Sequence, residues 1–248
     1  MKISIITVCF NSEETIRDTI ESVLAQTYPD IEYIIVDGES NDNTLSIIQE
    51  YQSQISKVVS EPDKGIYDAM NKGISLATGE VVGVLNSDDF FPHNEVISEV
   101  AEVYKTNPKT DMVLAGVEFV RSGDLNKVVR RYRSTGFKPW KLRFGIMPPH
   151  PSAYIRKKVY ANVGQYKLDY KIGADFDFFV RALLATKHKY VTDSRCWVRM
   201  RVGGVSTSGF SSFKTITQEI VKSFRENKIY TNSVFVSSRF FSKLLQLK

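Results

Sequence analysis

A chain of 248 residues with 42% hydrophobic and 25% charged residues has an ordinary globular composition, and its length suits one large α/β domain or a domain with a small appendage. No run of about 18 apolar residues is present, and Met1 leads into an alternating segment rather than a basic, then apolar leader, so a cytoplasmic location is expected. The formal charge of +5 is uneven: acids concentrate up to Glu102, whereas Lys and Arg dominate over residues 127–158 and from Lys214 onward. A basic second half suits an anionic partner. With no zinc-finger spacing, aromatic RNA-binding signature or recognition helix, nucleic acid is not the expected one. Cys9 and Cys196 lack metal-type spacing and read as buried free thiols.

Residues 3–10 read as a strand, and Asn11 with Glu14 predicts a capping-box start for a helix striped by Ile16, Ile20, Val23 and Leu24. Tyr28-Pro29-Asp30 breaks the chain before a second strand, 31–36, closed by Asp37-Gly38; Asp42 then caps a helix through Tyr51. Val58 and Val59 mark a short third strand, 66–77 a helix, and 80–85 the central strand. This alternation of strand and helix implies βαβ units in a mostly parallel sheet. Past a helix at 95–104 and a strand at 112–117 the rhythm changes. Residues 127–132 read as an antiparallel addition, and the proline-rich stretch 138–151 as an irregular loop that is a candidate substrate lid. Phe176, Phe179, Val180, Leu183 and Leu184 predict a helix with Asp175 at its N-cap, followed by a strand over 196–202. The remainder reads as two helices, with Phe213, Ile216, Ile220 and Phe224 on one stripe and Phe235, Phe240, Phe241, Leu244 and Leu245 near the end. A main domain over 1–210 and a helical tail over 211–248, membrane- or partner-associated, follow from this division.

The most informative stretch is VVGVLNSDD at 81–89, an apolar run that ends in two adjacent carboxylates. Such a run is buried on both faces, which places Asp88 and Asp89 at the strand end where open α/β sheets bind ligands. Two carboxylates without nearby His or Cys favour Mg²⁺ or Mn²⁺ bridging a diphosphate. The same residues also suit an Asx turn in which Asp89 caps the next helix. Two further strand ends, around Cys9-Phe10-Asn11 and Asp37-Gly38, reach the same edge and make a nucleotide site plausible. No glycine-rich fingerprint follows the first strand and no Walker loop exists, which disfavours dinucleotides and ATP hydrolysis.

The segments SIITVCFN, YIIVDGESNDNT, SEPDKGIYDAMNKGI, LNSDD, PPHPSAYIRKKVY and GADFDFFVRALL, in this order within residues 3–186, resemble the family 2 glycosyltransferases. SEPDKGIYDAMNKGI and GGVST look most like the subgroup of bacterial exopolysaccharide, colanic acid and O-antigen assembly. The resemblance implies a GT-A fold: a Rossmann-like, mostly parallel sheet flanked by helices, here with a C-terminal helical extension. It implies an inverting transfer from a nucleotide-diphosphate sugar to a hydroxyl of a lipid-linked oligosaccharide at the cytoplasmic face of the inner membrane. By the same resemblance, Thr7, Cys9, Asn11 and Asp37 line the nucleoside pocket, Asp63 and Lys64 lie near the donor, and Asp88 carries Mn²⁺ or Mg²⁺. Asn86 occupies the first acidic position of the metal motif and contributes no charge; Asp89 is the residue that compensates. Asp175 falls on the base position, preceded by Ala174 where the family often has glutamate. His150 falls near the acceptor or departing phosphates, and Arg199 and Arg201, with Gly203 to Thr207, around the diphosphate. Two rivals stand beside this reading. A silent nucleotide-sugar or carbohydrate-binding protein is suggested by Asn86 and Ala174, and a sugar nucleotidyltransferase would need a glycine-rich loop where the chain has NSEE.

Overall fold

The structure, a computed structural model, describes residues 1–203 and 209–239. Nine strands form one sheet: β1 (Ile3–Cys9), β2 (Ile31–Asp37), β3 (Lys57–Ser60), β4 (Val81–Asn86), β5 (Asp89–Phe90), β6 (Met112–Arg121), β7 (Asp124–Tyr132), β8 (Ala153–Arg156) and β9 (Tyr190–Arg201). Their order is β3-β2-β1-β4-β8-β6-β9-β5, with β7 beside β6. Among the described residues eight α-helices accompany them: α1 (Ile16–Leu24), α2 (Thr44–Glu50), α3 (Ile66–Leu76), α4 (Val96–Thr106), α5 (Lys157–Val163), α6 (Ala174–Val180), α7 (Gly209–Glu226) and α8 (Ser233–Ser237).

The β-branched run of β1 is buried at all seven positions, as a strand covered on both faces requires. Helix α3 lies close enough on it that only glycine fits at position 73, where a Cβ would stand 2.4 Å from Ile6 Cγ2. One apolar core forms on this face with α3, α6 and α7, and a second on the opposite face under α1 and α4.

Parallel pairing holds for β3, β2, β1 and β4, which successive helical crossovers connect. Beyond β4 the sheet is mixed: β8 is antiparallel to both β4 and β6, β7 to β6 and β5 to β9, while β6 and β9 run parallel. The expected parallel sheet thus describes the first half, and the change of rhythm after 117 marks the other.

Local expectations shift where distant partners compete with local signals. Asn11 does not open α1; it sits at φ 48° and its Oδ1 accepts the Asn41 N–H at 2.8 Å, so α1 starts at Ile16. The N-cap of α6 is Gly173 rather than Asp175. Strand β9 begins at Tyr190 rather than Cys196 because its first residues pair with Met112–Leu114 of β6. Ile220 and Phe224 of α7 and Val236 of α8 are buried in the core shared with α6. Phe240, Phe241, Leu244 and Leu245 lie outside the described residues. Among the described residues no helix is long and apolar enough to cross a membrane.

Candidate active site

Parallel register brings the ends of β1 to β4 level. Cys9 pairs with Asp37, Val8 with Asn86, and Asp37 with Ser60. Asp37 is fully buried, and its carboxylate accepts the Ser40 N–H at 3.0 Å, the Ser40 hydroxyl at 2.5 Å and the Ser60 hydroxyl at 2.7 Å. A buried carboxylate satisfied this fully is a fixed acceptor. Cys9 Sγ lies 3.6 Å from Asp37 Oδ1, and burial together with that charge pushes the thiol far up, so it stays protonated. Thr7 is also buried, its hydroxyl bonded to that of Tyr33 at 3.1 Å, so it supports the floor rather than lining an open pocket.

Asp63 approaches from the loop after β3. A Cβ on Gly38 would fall 2.5 Å from Asp63 Oδ2, so Gly38 is what lets the two strand ends close together. The Asp63 carboxylate accepts the Gly65 N–H at 2.7 Å, and Lys64 beside it is exposed. Phe10 leaves its ring 58% exposed here, 3.4 Å from that same Gly38 position. Sequence reasoning did not single it out; the signal was an aromatic residue one place past the last buried residue of β1.

At the end of β4, Asn86 Nδ2 donates to Asp89 Oδ2 at 3.1 Å. Burial, then the adjacent Asp88 charge, push the Asp89 carboxyl well above the ordinary range. The turn is braced by Thr19, whose hydroxyl donates to the carbonyls of Ser87 at 2.9 Å and Asp89 at 2.7 Å, and by the Ser12–Ser87 hydroxyl pair at 2.8 Å. Arg201 reaches the same turn: it donates to the Asp88 carbonyl at 2.5 Å, pairs with Asp18 and lies over the Phe90 ring. Arg199 is held elsewhere, on Glu118 at 3.1 Å, a carboxylate it shares with Arg131. Gly204 to Thr207 of the expected diphosphate loop lie outside the described residues.

The donor set fits a hard divalent ion in one respect. Asn86 Oδ1 and Asp89 Oδ1 are buried acceptors without a hydrogen-bond partner, and the partly exposed Asp88 adjoins them. Among the described residues no group of three His, Cys, Asp or Glu side chains converges. An ion here would complete its shell from amide and ligand oxygens.

Asp175 occupies the first turn of α6. Its Oδ1 accepts the Phe176 N–H at 2.7 Å and the Tyr67 hydroxyl at 3.3 Å. Burial pushes this carboxyl up to about 6; the Phe176 amide and Tyr67 hydroxyl pull against that, and the Glu219 charge adds to it. Tyr67 also donates to the Ile172 carbonyl.

His150 is enclosed rather than open to solvent. It is 7% exposed, packs edge-on to Phe179 and bonds Tyr166 Oη through Nε2 at 2.6 Å. Burial lowers its pKa to about 4, so near neutral pH it brings no charge to a phosphate. Asp177 and Arg181, four residues apart, pair at 2.7 Å with Asp177 fully buried.

Residues 4–163 match the model of glycosyl transferase family 2. The chain belongs to this family. A Mycobacterium tuberculosis protein described as an uncharacterized glycosyltransferase is 32% identical over 188 residues, 73% of this chain and 69% of that one. Two solved structures share the fold. TarS of S. aureus, residues 1–349 in complex with UDP-GlcNAc, gives a TM-score of 0.72 at 20% identity over 90% of this chain and 66% of its own. The mannosyltransferase PcManGT from Pyrobaculum calidifontis, in complex with GDP-Man and Mn²⁺, gives 0.64 at 17% identity over 91% and 63%. The family 2 chain is thus a glycosyltransferase with a GT-A fold, its mixed α/β sheet flanked by helices.

Proposed function

We propose that this glycosyltransferase moves one sugar from a nucleoside-diphosphate sugar to a hydroxyl of a lipid-linked oligosaccharide, with inversion. The observation that carries the reading is the separation of carboxylates into two environments. Asp37 is buried and already occupied by Ser40, Ser60 and Cys9, so it fixes the strand ends, while the partly exposed Asp63 in the loop after β3 is the acceptor for base N–H or ribose hydroxyl groups and Phe10 offers a ring face to the base. Asp88, Asp89 and Asn86 are the residues that would hold Mn²⁺ or Mg²⁺, which supplies positive charge to the departing diphosphate. Arg201 and Lys64 are the nearby cations suited to the same phosphates.

Asp175 serves as the base. Inversion needs a single carboxylate to take the acceptor hydroxyl proton as that oxygen attacks the anomeric carbon, and a carboxyl held at about 6 is ionised at neutral pH yet basic enough to accept the proton. The rate should therefore fall as pH drops through about 6, where Asp175 becomes protonated.

The lipid-linked acceptor draws support from a ledge of aromatic side chains, of which Trp140, Tyr230 and Phe235 are exposed and Phe144 is half-buried. Trp140 and Phe144 meet edge to face, Phe144 stacks on Phe235, and Tyr230 closes the row. Both contributing segments fall in stretches free of acid, 125–168 and 227–248, with Lys138, Lys141, Arg143 and Lys228 close in sequence. Aromatic groups flanked by lysine and arginine suit the interface of an anionic bilayer.

The test is calorimetric titration of UDP, GDP, dTDP and CMP, each with Mn²⁺ and with EDTA, into the wild-type and Asp88→Ala proteins. Metal-dependent binding of one nucleotide, lost in Asp88→Ala, is expected; equal binding in EDTA would refute the metal assignment, and no binding at all the donor reading. For the acceptor, co-sedimentation with vesicles containing phosphatidylglycerol should drop when Trp140 and Phe235 are both changed to Ser. An unchanged bound fraction would remove the ledge from the argument.

A further inference from the structure

We propose that Glu219, on α7, is a positioning residue for Asp175, holding the backbone turn 171–173 from which α6 and its base project. The inference rests on the reading of Asp175 as base but is carried by a separate set of contacts. Glu219 is 8% exposed, and its carboxylate accepts three consecutive backbone donors: Lys171 N–H at 2.6 Å, Ile172 N–H at 3.1 Å and Gly173 N–H at 2.8 Å. Helix α6 has no side-chain cap of its own. A carboxylate from another helix thus does the capping, where the positive end of the α6 dipole also favours it.

The next two residues at helical spacing reinforce the clamp. Ser223 and Asn227 donate to Asp177 Oδ1 at 2.7 and 3.4 Å, so positions 219 and 223 of α7, with 227 just past its end, present one polar stripe to the first turns of α6. Phe224 packs on Phe176 beside them, with ring centroids 6.1 Å apart. The turn is gripped from both sides, since Ile172 gives its N–H to Glu219 and takes the Tyr67 hydroxyl on its carbonyl. Tyr67 also reaches Asp175, so the groups that fix the base come from α3 and α7, far from it in sequence.

The charge of Glu219 acts as well. The titratable groups facing Asp175 are Tyr67 from α3, Tyr166 from the loop after α5, and Glu219 from α7. Near neutral pH the tyrosines are uncharged, which leaves Glu219 as the anion that raises Asp175. A group that only stabilised the fold would lack this signature.

The experiment uses the full chain and three variants, Glu219→Gln, Glu219→Asp and Asp175→Asn. Titration of the Asp175 carboxyl carbon by NMR should show a lower midpoint in Glu219→Gln than in wild type, and Glu219→Asp should restore part of the difference. Hydrogen exchange at the amides of 171–173 should speed up at least tenfold in Glu219→Gln while the α1 amides keep their protection. Release of nucleoside diphosphate from UDP-GlcNAc or GDP-mannose with Mn²⁺ should fall at least tenfold in kcat with KM changed less than threefold. An unmoved Asp175 midpoint, or unchanged exchange at 171–173, overturns the proposal. Retained turnover in Asp175→Asn would instead remove the base reading, while the midpoint and exchange measurements would still report the clamp.

Discussion

The two sides of the site are built on different principles. On the donor side, Asp37 is satisfied by Ser40, three residues on, and by Ser60 on the paired strand, while the turn at 86–89 is braced by Thr19 and Ser12 from the loop and helix that follow β1. On the side proposed for the acceptor, Asp175 depends on Tyr67, 108 residues earlier, and through its turn on Glu219. The family match ends at residue 163, before α6 begins. Strand ends in a parallel sheet deliver carboxylates to fixed places by register alone. Asp175, on a short helix, is located by tertiary contacts, and as the proposed base it would sit in a half that is free to differ in shape.

The largest effect should come from the acceptor side. Asp175→Asn keeps the hydrogen bond from Phe176 but cannot take a proton, so turnover should fall by about 10²–10⁴-fold while donor affinity holds. Steady-state kinetics with parallel calorimetry check this. Normal turnover in the variant would remove Asp175 as base, whereas donor binding without turnover in the wild-type protein would favour a chain that holds donor without transferring it.

The donor side should fail in a different way. Asp37→Ala strips the acceptor from two serine hydroxyls and an amide, and should weaken nucleotide binding by about 10–100-fold, together with a stability loss of about 1–3 kcal/mol. Gly38→Ala is subtler: its Cβ would meet Asp63 Oδ2 at 2.5 Å, displacing that carboxylate and raising the donor KM by about 3–10-fold, with kcat near wild type. If Gly38→Ala lowered kcat alone, Asp63 would belong to the chemistry rather than to binding.

How much of this was legible follows from the same contrast. The order of β1 to β4 and the convergence of Asp37 and Asp88 could be read because β-branched runs, Gly38 and Gly79 punctuate the chain locally. Asp175 was legible only by resemblance, and its helix start was misplaced by two residues because Glu219, 46 positions from Gly173, supplies the cap. His150 is enclosed by Tyr166 and Phe179, contacts that its proline-rich local sequence does not announce. The mixed half of the sheet was opaque since β8, at four residues, is too short to announce a strand, yet it joins β4 to β6.

The smallest effect belongs to the far end of the parallel strands, where Glu32 does for the fold what Asp37 does for the site. Its buried carboxylate takes the Ser4 hydroxyl at 2.6 Å and the Thr78 N–H and hydroxyl at 2.6 and 2.8 Å. Burial alone would raise it, but these donors and Lys2 hold it at about 2, against an ordinary value of 4.5. A carboxyl lowered in the folded state adds stability that is present above pH 4.5 and lost as pH falls toward 2. Glu32→Gln should therefore cost about 1–3 kcal/mol at pH 7 and progressively less toward pH 2, read from denaturant midpoints across that range. Parallel curves for the two proteins would mean that the carboxylate is held by shape rather than by charge. In that case the parallel half would owe its rigidity to the apolar strands alone.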